Sequence, residues 1–188
     1  MIDKHAIPTK LLWIDLEMTG LRSEQDVILE IAAEVTDFDF KRLGNYDAIL
    51  AQPEAALTSM NEWATAQHAA SGLTDRVKHE GRPEADVVQE FCAFIRKHFG
   101  DTPAILAGNS IHKDREFIKQ WWPEVDALLH YRMLDVTSLK IYMQGKHGVE
   151  YKKREVHRAF DDIQESMAEW QYYLAWLSSH TDATQSAH

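Results

Sequence analysis

Residues Leu11-Leu12-Trp13-Ile14-Asp15-Leu16-Glu17-Met18 form an apolar run broken at alternate positions by two carboxylates. The run reads as a strand, stopped by Thr19-Gly20. Side chains alternate along a strand, so Asp15 and Glu17 share one face and Ile14, Leu16 and Met18 take the other. Two neighbouring carboxylates repel, and burying a charge is costly. A solvated face answers this conflict for an isolated Asp-x-Glu. Divalent cations answer it in another way, because Mg²⁺ takes one or two carboxylates together with phosphate oxygens.

The surrounding pattern predicts an α/β domain. Val27 to Phe40 and Tyr46 to Ala51 read as second and third strands, the latter ended by Pro53, and the close spacing suggests an antiparallel meander. Short helices are expected over Ser59–Ala70 and Thr74–Glu80. A stronger one runs from Pro83 to Phe99, with Val87, Val88, Phe91, Phe94 and Ile95 on one face and Gly100 as the stop. Ala104–Ala107 is a short buried strand, Asp114–Trp122 a helix ended by Pro123, and Met133–Val136 a strand followed by a helix to about Gln144. Residues 145–156 lack an apolar pattern and read as a mobile loop. The last helix spans about Arg158 to Leu177, where Phe160, Ile163, Met167, Trp170, Leu174 and Leu177 form a stripe facing the core or a second subunit. Residues 178–188 read as a flexible polar tail. Three strands followed by mixed strands and helices imply a mixed sheet flanked by helices.

Composition limits the partners. With 188 residues, 45% hydrophobic and 27% charged, the chain is long enough for a real core and is not of the disordered class. Its formal charge of −10 leaves no broad basic surface for the many phosphate contacts that grip long nucleic acids. Cys92 is the only cysteine, so no intrachain disulfide is possible, and its apolar neighbours make it a buried thiol. No signal segment or membrane-length apolar run is visible, and a reducing, cytoplasmic setting fits.

Further acids lie along the chain. Asp114 falls in the first turn of the helix that follows Gly108-Asn109-Ser110. His157 closes the 145–156 segment, and Asp161 and Asp162 lie in the first turns of the last helix. Taken singly, these are acids favoured at helix starts. Helical periodicity does not choose between Asp161 and Asp162, which flank the apolar stripe on opposite sides. Five residues of helix would turn His157 away from Asp162, so a shared site needs His157 on the loop or on a frayed first turn.

The spaced set Asp15-x-Glu17, Asp114, His157 and Asp162 resembles the histidine-type DEDD 3′–5′ exonuclease family. Similar segments extend through Thr19-Gly20-Leu21, Ala70-Ser71-Gly72-Leu73, Gly108-Asn109-Ser110-Ile111, His130-Tyr131-Arg132, Leu134-Asp135-Val136 and Glu165-Ser166. The likeness is weakest from Val149 to Val156. It implies a ribonuclease-H-like fold and a single exonuclease domain over residues 1–177. Within the family, the closer resemblance is to members that degrade very short single-stranded RNA, down to dinucleotides, to nucleoside 5′-monophosphates by two-metal-ion hydrolysis. By that resemblance Asp15, Glu17, Asp114 and Asp162 are ligands of two divalent ions, Mg²⁺ or Mn²⁺, and His157 is the general base. Leu21 and Trp63 would wedge and stack on the bases, and His68 and Ser110 would line the phosphate and sugar pocket. A homodimer is also implied, with Tyr131 and Arg132 reaching from the second subunit toward the substrate's active site and 5′ end.

Overall fold

A computed structural model describes residues 8–152 and 159–185. The chain runs β1 (Leu11–Met18), β2 (Ile28–Thr36), β3 (Arg42–Ile49), α1 (Glu54–Thr58), α2 (Glu62–Ala70), α3 (Leu73–Glu80), α4 (Glu84–Phe99), β4 (Ala104–Gly108), α5 (His112–Trp121), α6 (Pro123–Asp126), β5 (Leu129–Asp135), α7 (Val136–His147) and α8 (Ala159–Gln185). The five strands make one mixed sheet in the order β3-β2-β1-β4-β5. The first three form the expected antiparallel meander, and β4 and β5 add in parallel.

This order makes β1 the central strand, covered on both faces. Leu12, Ile14 and Leu16 pack with Phe91 and Ile95 of α4 and Phe117 and Ile118 of α5. Leu11 and Trp13 pack with Val136 of α7 and Ile163 and Met167 of α8. The carboxylate face of β1 is therefore the face that α8 covers. Cys92 is a buried thiol within the first of these layers, and burial pushes its pKa up.

Several boundaries differ from the sequence expectation for identifiable reasons. Asp37 ends β2 four residues early: its Oδ1 accepts from the backbone N–H of Asp39 and of Lys41, building a turn with Phe40 at φ 63°. Strand β3 starts at Arg42 rather than Tyr46, because pairing to β2 satisfies a stretch with no apolar pattern. Edge strand β5 likewise starts at Leu129 rather than Met133, through its ladder with β4. Asn61 caps α2 by accepting from Ala64 N–H, which splits the expected 59–70 helix from the separate α1. Helix α7 continues to His147 and is ended by Gly148 in the left-handed region.

The end of α8 is a larger difference. The helix continues to Gln185, through eight residues expected to be non-helical. No glycine or proline interrupts residues 178–185. The Ser178 and Ser179 hydroxyls donate back to the carbonyls of Leu174 and Trp176. The apolar stripe also rotates along the helix: Tyr173 is fully buried, whereas Leu174 is exposed.

The bend after β1 is held by one carboxylate. Asp26 accepts from the Thr19 hydroxyl at 3.2 Å and from Arg22 N–H at 2.9 Å. Thr19 Oγ1 in turn accepts from Val27 N–H at 3.0 Å. Gly20 is required beside it, since a Cβ there would sit 2.5 Å from Asp26 Oδ2 and 2.7 Å from its Cγ. The carboxylate is tied in place and cannot swing aside cheaply. Gly20→Ala should therefore lower stability by about 1–3 kcal/mol, the usual range for overpacking, as read by urea unfolding.

Candidate active site

The two β1 carboxylates meet a third from α8. Ligand oxygens of Asp15, Glu17 and Asp162 all lie within 4.8 Å of one another, and each residue is half-buried. Asp162, not Asp161, is the member of this cluster that α8 contributes, so tertiary packing separates two residues that helical periodicity could not. All three offer hard oxygen donors with exposure for further ligands, the donor chemistry that suits Mg²⁺ or Mn²⁺.

Asp114 stands deeper. It is 7% exposed at the start of α5, and its Oδ1 accepts the backbone N–H of Leu16 at 3.0 Å. The reason is topological. The β1–β4 ladder pairs Leu12 with Leu106 and Trp13 with Ala107, and β4 ends at Gly108. The N–H of Leu16 would be left without a strand partner, and Asp114 supplies one. The same bond places the Asp114 carboxylate close enough to act on the charge of Glu17.

Crowding changes the chemistry of these acids. Glu17 is pushed up from 4.5 to about 7, first by burial, then by the charges of Asp162, Glu30 and Asp114. Burial also raises Asp114, against the opposing bonds from backbone N–H groups. Glu30 is directly opposite Glu17 in the β1–β2 ladder and forms an ion pair with Arg76 at 3.2 Å. Glu30 is not among the residues expected at the site, although it too is an acid in an apolar strand, where period-two alternation singles it out.

His68 lies beneath this cluster and is 3% exposed. Its Nε2 is 2.8 Å from the carbonyl of Met18, which can only accept, so Nε2 carries a proton. Burial lowers the pKa of the ring, which favours the neutral form with a lone pair on Nδ1, 3.9 Å from Glu17 Oε2. Two acceptors thus face each other, which a proton on Glu17 or an interposed donor would reconcile.

The other expected residues spread outward. Leu21 and Trp63 are 67% and 65% exposed, Leu21 on the bend after β1 and Trp63 in the first turn of α2, the helix that also carries His68. Ser110 is half-buried with φ 50°, and its N–H is shared between Asp135 Oδ1 at 3.0 Å and Thr137 Oγ1 at 2.9 Å. Asp135 also caps α7 by accepting from Thr137 N–H, which gives the Leu134-Asp135-Val136 motif a structural task. Tyr131 and Arg132 are on edge strand β5, with the guanidinium 5.2 Å from the exposed ring. The structure does not draw them to the carboxylates of their own chain along the sheet, since β4 intervenes. His157 lies outside the described residues.

The raised pKa of Glu17 has a testable sign. Below about pH 4.5 the group is protonated in both folded and unfolded chains and costs nothing. As pH rises from about 4.5 to about 7, the unfolded chain ionises while the folded chain keeps its proton, and stability is lost across that window until the folded group ionises as well. Metal-free Glu17→Gln should therefore be more stable than the parent at pH 8, by up to about 3 kcal/mol, with the gain vanishing toward pH 4. Thermal melts in EDTA across that range read this directly, and a gain independent of pH would contradict it.

Comparison with known proteins agrees with this geometry. Residues 12–170 match the Exonuclease family of the RNase T type. Oligoribonuclease from Francisella tularensis subsp. tularensis (strain WY96-3418) is 43% identical over 171 residues, covering 90% of this chain and 96% of that protein. Oligoribonuclease from Thiobacillus denitrificans is 39% identical over 170 residues, covering 88% and 93%. Among solved structures, exonuclease I from Methylocaldum szegediense superposes with a TM-score of 0.61 at 15% identity, over 87% of this chain and 40% of that one. The zinc-bound E. coli exonuclease I–single-stranded DNA complex gives 0.66 at 16%, over 93% and 43%. These structures share the ribonuclease-H-like fold, and this chain spans about two fifths of their length. With its sheet order, its acidic cluster and a family match running through nearly every element, this chain belongs to the RNase T-type exonuclease family.

Proposed function

We propose that this protein is a metal-dependent 3′–5′ exoribonuclease that degrades RNA of two to a few nucleotides to nucleoside 5′-monophosphates. The observation that carries the reading is the meeting of Asp15, Glu17 and Asp162 oxygens within 4.8 Å at the end of the central strand. Relatives named oligoribonuclease, aligned over almost their whole length, support the substrate class. Asp15, Glu17, Asp162 and Asp114 would hold two divalent ions, Mg²⁺ or Mn²⁺. When bound, such ions supply Lewis acidity and offset the charge of the scissile phosphate.

The protein's own groups then divide the work. His157 takes the proton of the water that attacks phosphorus, a task suited to a base with an ordinary pKa of about 6.5. The P–O3′ bond breaks, the phosphate leaves on the 5′ oxygen of the released nucleotide, and the 3′ oxygen takes up a proton. Ser110 holds phosphate and sugar from a turn that Asp135 and Thr137 keep rigid. His68, 3.9 Å from Glu17, would line the phosphate and sugar pocket with Ser110. Leu21 and Trp63, both largely exposed, offer apolar surface to the bases.

A chain of charge −10 suits a short substrate. A dinucleotide carries too few phosphates for counterion release to dominate its binding. Base stacking, worth about 1–3 kcal/mol per base, becomes a large share of the affinity. We place the protein in the cytoplasm as a homodimer. Tyr131, 68% exposed on an edge strand, and Arg132 beside it would serve the partner's active site. No helix of the described residues is long and apolar enough to cross a membrane.

The reading is tested by incubating the protein with an end-labelled diribonucleotide in Mn²⁺ or Mg²⁺ and in EDTA. Metal-dependent release of mononucleotides, faster on the dinucleotide than on a long single strand, is expected. Preference for the long strand would point to a different member of the family. Trp63→Ala should raise KM for the dinucleotide by roughly tenfold, the equivalent of one lost stacking contact, with kcat less affected. An unchanged KM would remove Trp63 from the site.

A further inference from the structure

Asn109, Ser166 and Glu169 stand outside the carboxylate cluster, yet they join the elements that carry it. Asn109 is in the turn between β4 and α5, and its side-chain amide donates to Ser166 Oγ at 2.8 Å and toward Glu169 Oε2 at 3.4 Å. Ser166 and Glu169 are three residues apart on α8, so they are neighbours on one helix face and a single amide spans both. The amide is oriented from behind, because the Thr137 hydroxyl donates to Asn109 Oδ1 at 3.4 Å. Ser166 passes the link on: its hydroxyl accepts from Asn109 and donates at 2.8 Å to the backbone carbonyl of Asp162.

The partners leave this link little freedom. Ser166 is 4% exposed and Glu169 is fully buried. The Glu169 carboxylate is also met by the Tyr173 hydroxyl at 3.0 Å and by Lys140 Nζ at 3.7 Å. Such a buried carboxylate is costly to leave without its donors, so each donor is held in turn.

A device of this kind has a purpose at this place. Asp162 is in the first turn of α8, where a helix frays most easily. The apolar contacts of Ile163 and Met167 keep α8 on the sheet, but they are non-directional and permit sliding or rotation. Three crowded carboxylates drive that turn outward. A directional hydrogen-bonded chain resists the movement.

We propose that Asn109 is a positioning residue for the metal site. Through Ser166 it fixes the first turn of α8, so that the Asp162 carboxylate stays beside Asp15 and Glu17 against their mutual repulsion. This rests on the reading of those carboxylates as metal ligands.

The test is calorimetric titration of the purified full chain with Mn²⁺ alone, before any substrate is added. Asn109→Ala and Ser166→Ala should each weaken Mn²⁺ binding by about tenfold, the scale found for groups that orient ligands, while circular dichroism stays that of the parent. Excess Mn²⁺ should restore most of kcat on a diribonucleotide. Gln164→Ala removes a different bond from the same helix, the one to Glu34 Oε2 at 2.8 Å, and should leave Mn²⁺ affinity within twofold. Unchanged affinity in a folded Asn109→Ala or Ser166→Ala would overturn the proposal, as would an equal loss in Gln164→Ala, which would mean that any tie on α8 matters alike. A parent protein that binds no Mn²⁺ would overturn the metal reading itself, an outcome distinct from tight parent binding with an unaffected variant.

Discussion

The structure is organised around an unfavourable interaction, the mutual repulsion of carboxylates gathered at the end of a buried central strand. Asp15 and Glu17 come from β1, Asp162 from α8, and Asp114 stands behind them. Left to themselves, these groups would separate or take up protons. They do neither freely because β1 is fixed by strands on both edges and apolar layers on both faces. Such crowding is the arrangement that a divalent cation would relieve, because positive charge offsets the repulsion.

Several features hold the repulsion in check without cancelling it. Arg76 answers Glu30, the nearest acid on β2, and so spares the cluster a further charge in full. The N–H of Leu16 anchors Asp114 and helps its ionised form. His68 adds no such relief: its Nε2 donates to the Met18 carbonyl, and burial lowers the pKa of the ring. None of these groups neutralises Glu17, which keeps a pKa near 7.

Much of this was legible in the chain before folding. Strand β1 and helix α4 were found nearly to the residue, because each is long, periodic and bounded by a clear stop. The edge strands were less visible: Arg42–Asn45 and Leu129–Arg132 are strands by virtue of partners and not of pattern. The end of α8 was missed because polar composition was read as disorder, whereas helix continues wherever nothing breaks it and serines bond back to the preceding turn. The roles of Asn109 and Asp135 could not be read at all, since both act through hydrogen bonds to residues far along the chain.

The sequence by itself determined that two carboxylates share one face of an apolar strand, that an α/β sheet surrounds it, and that the chain carries a net charge of −10. Those properties follow from local periodicity and composition. Only the tertiary structure decided that Asp162, not Asp161, joins Asp15 and Glu17, and that Asp114 takes the backbone N–H of Leu16 on the central strand. The physical reason is distance along the chain. The bond between Leu16 and Asp114 spans 98 residues, and the angle at which α8 meets β1 is set by packing against a sheet assembled from the whole fold.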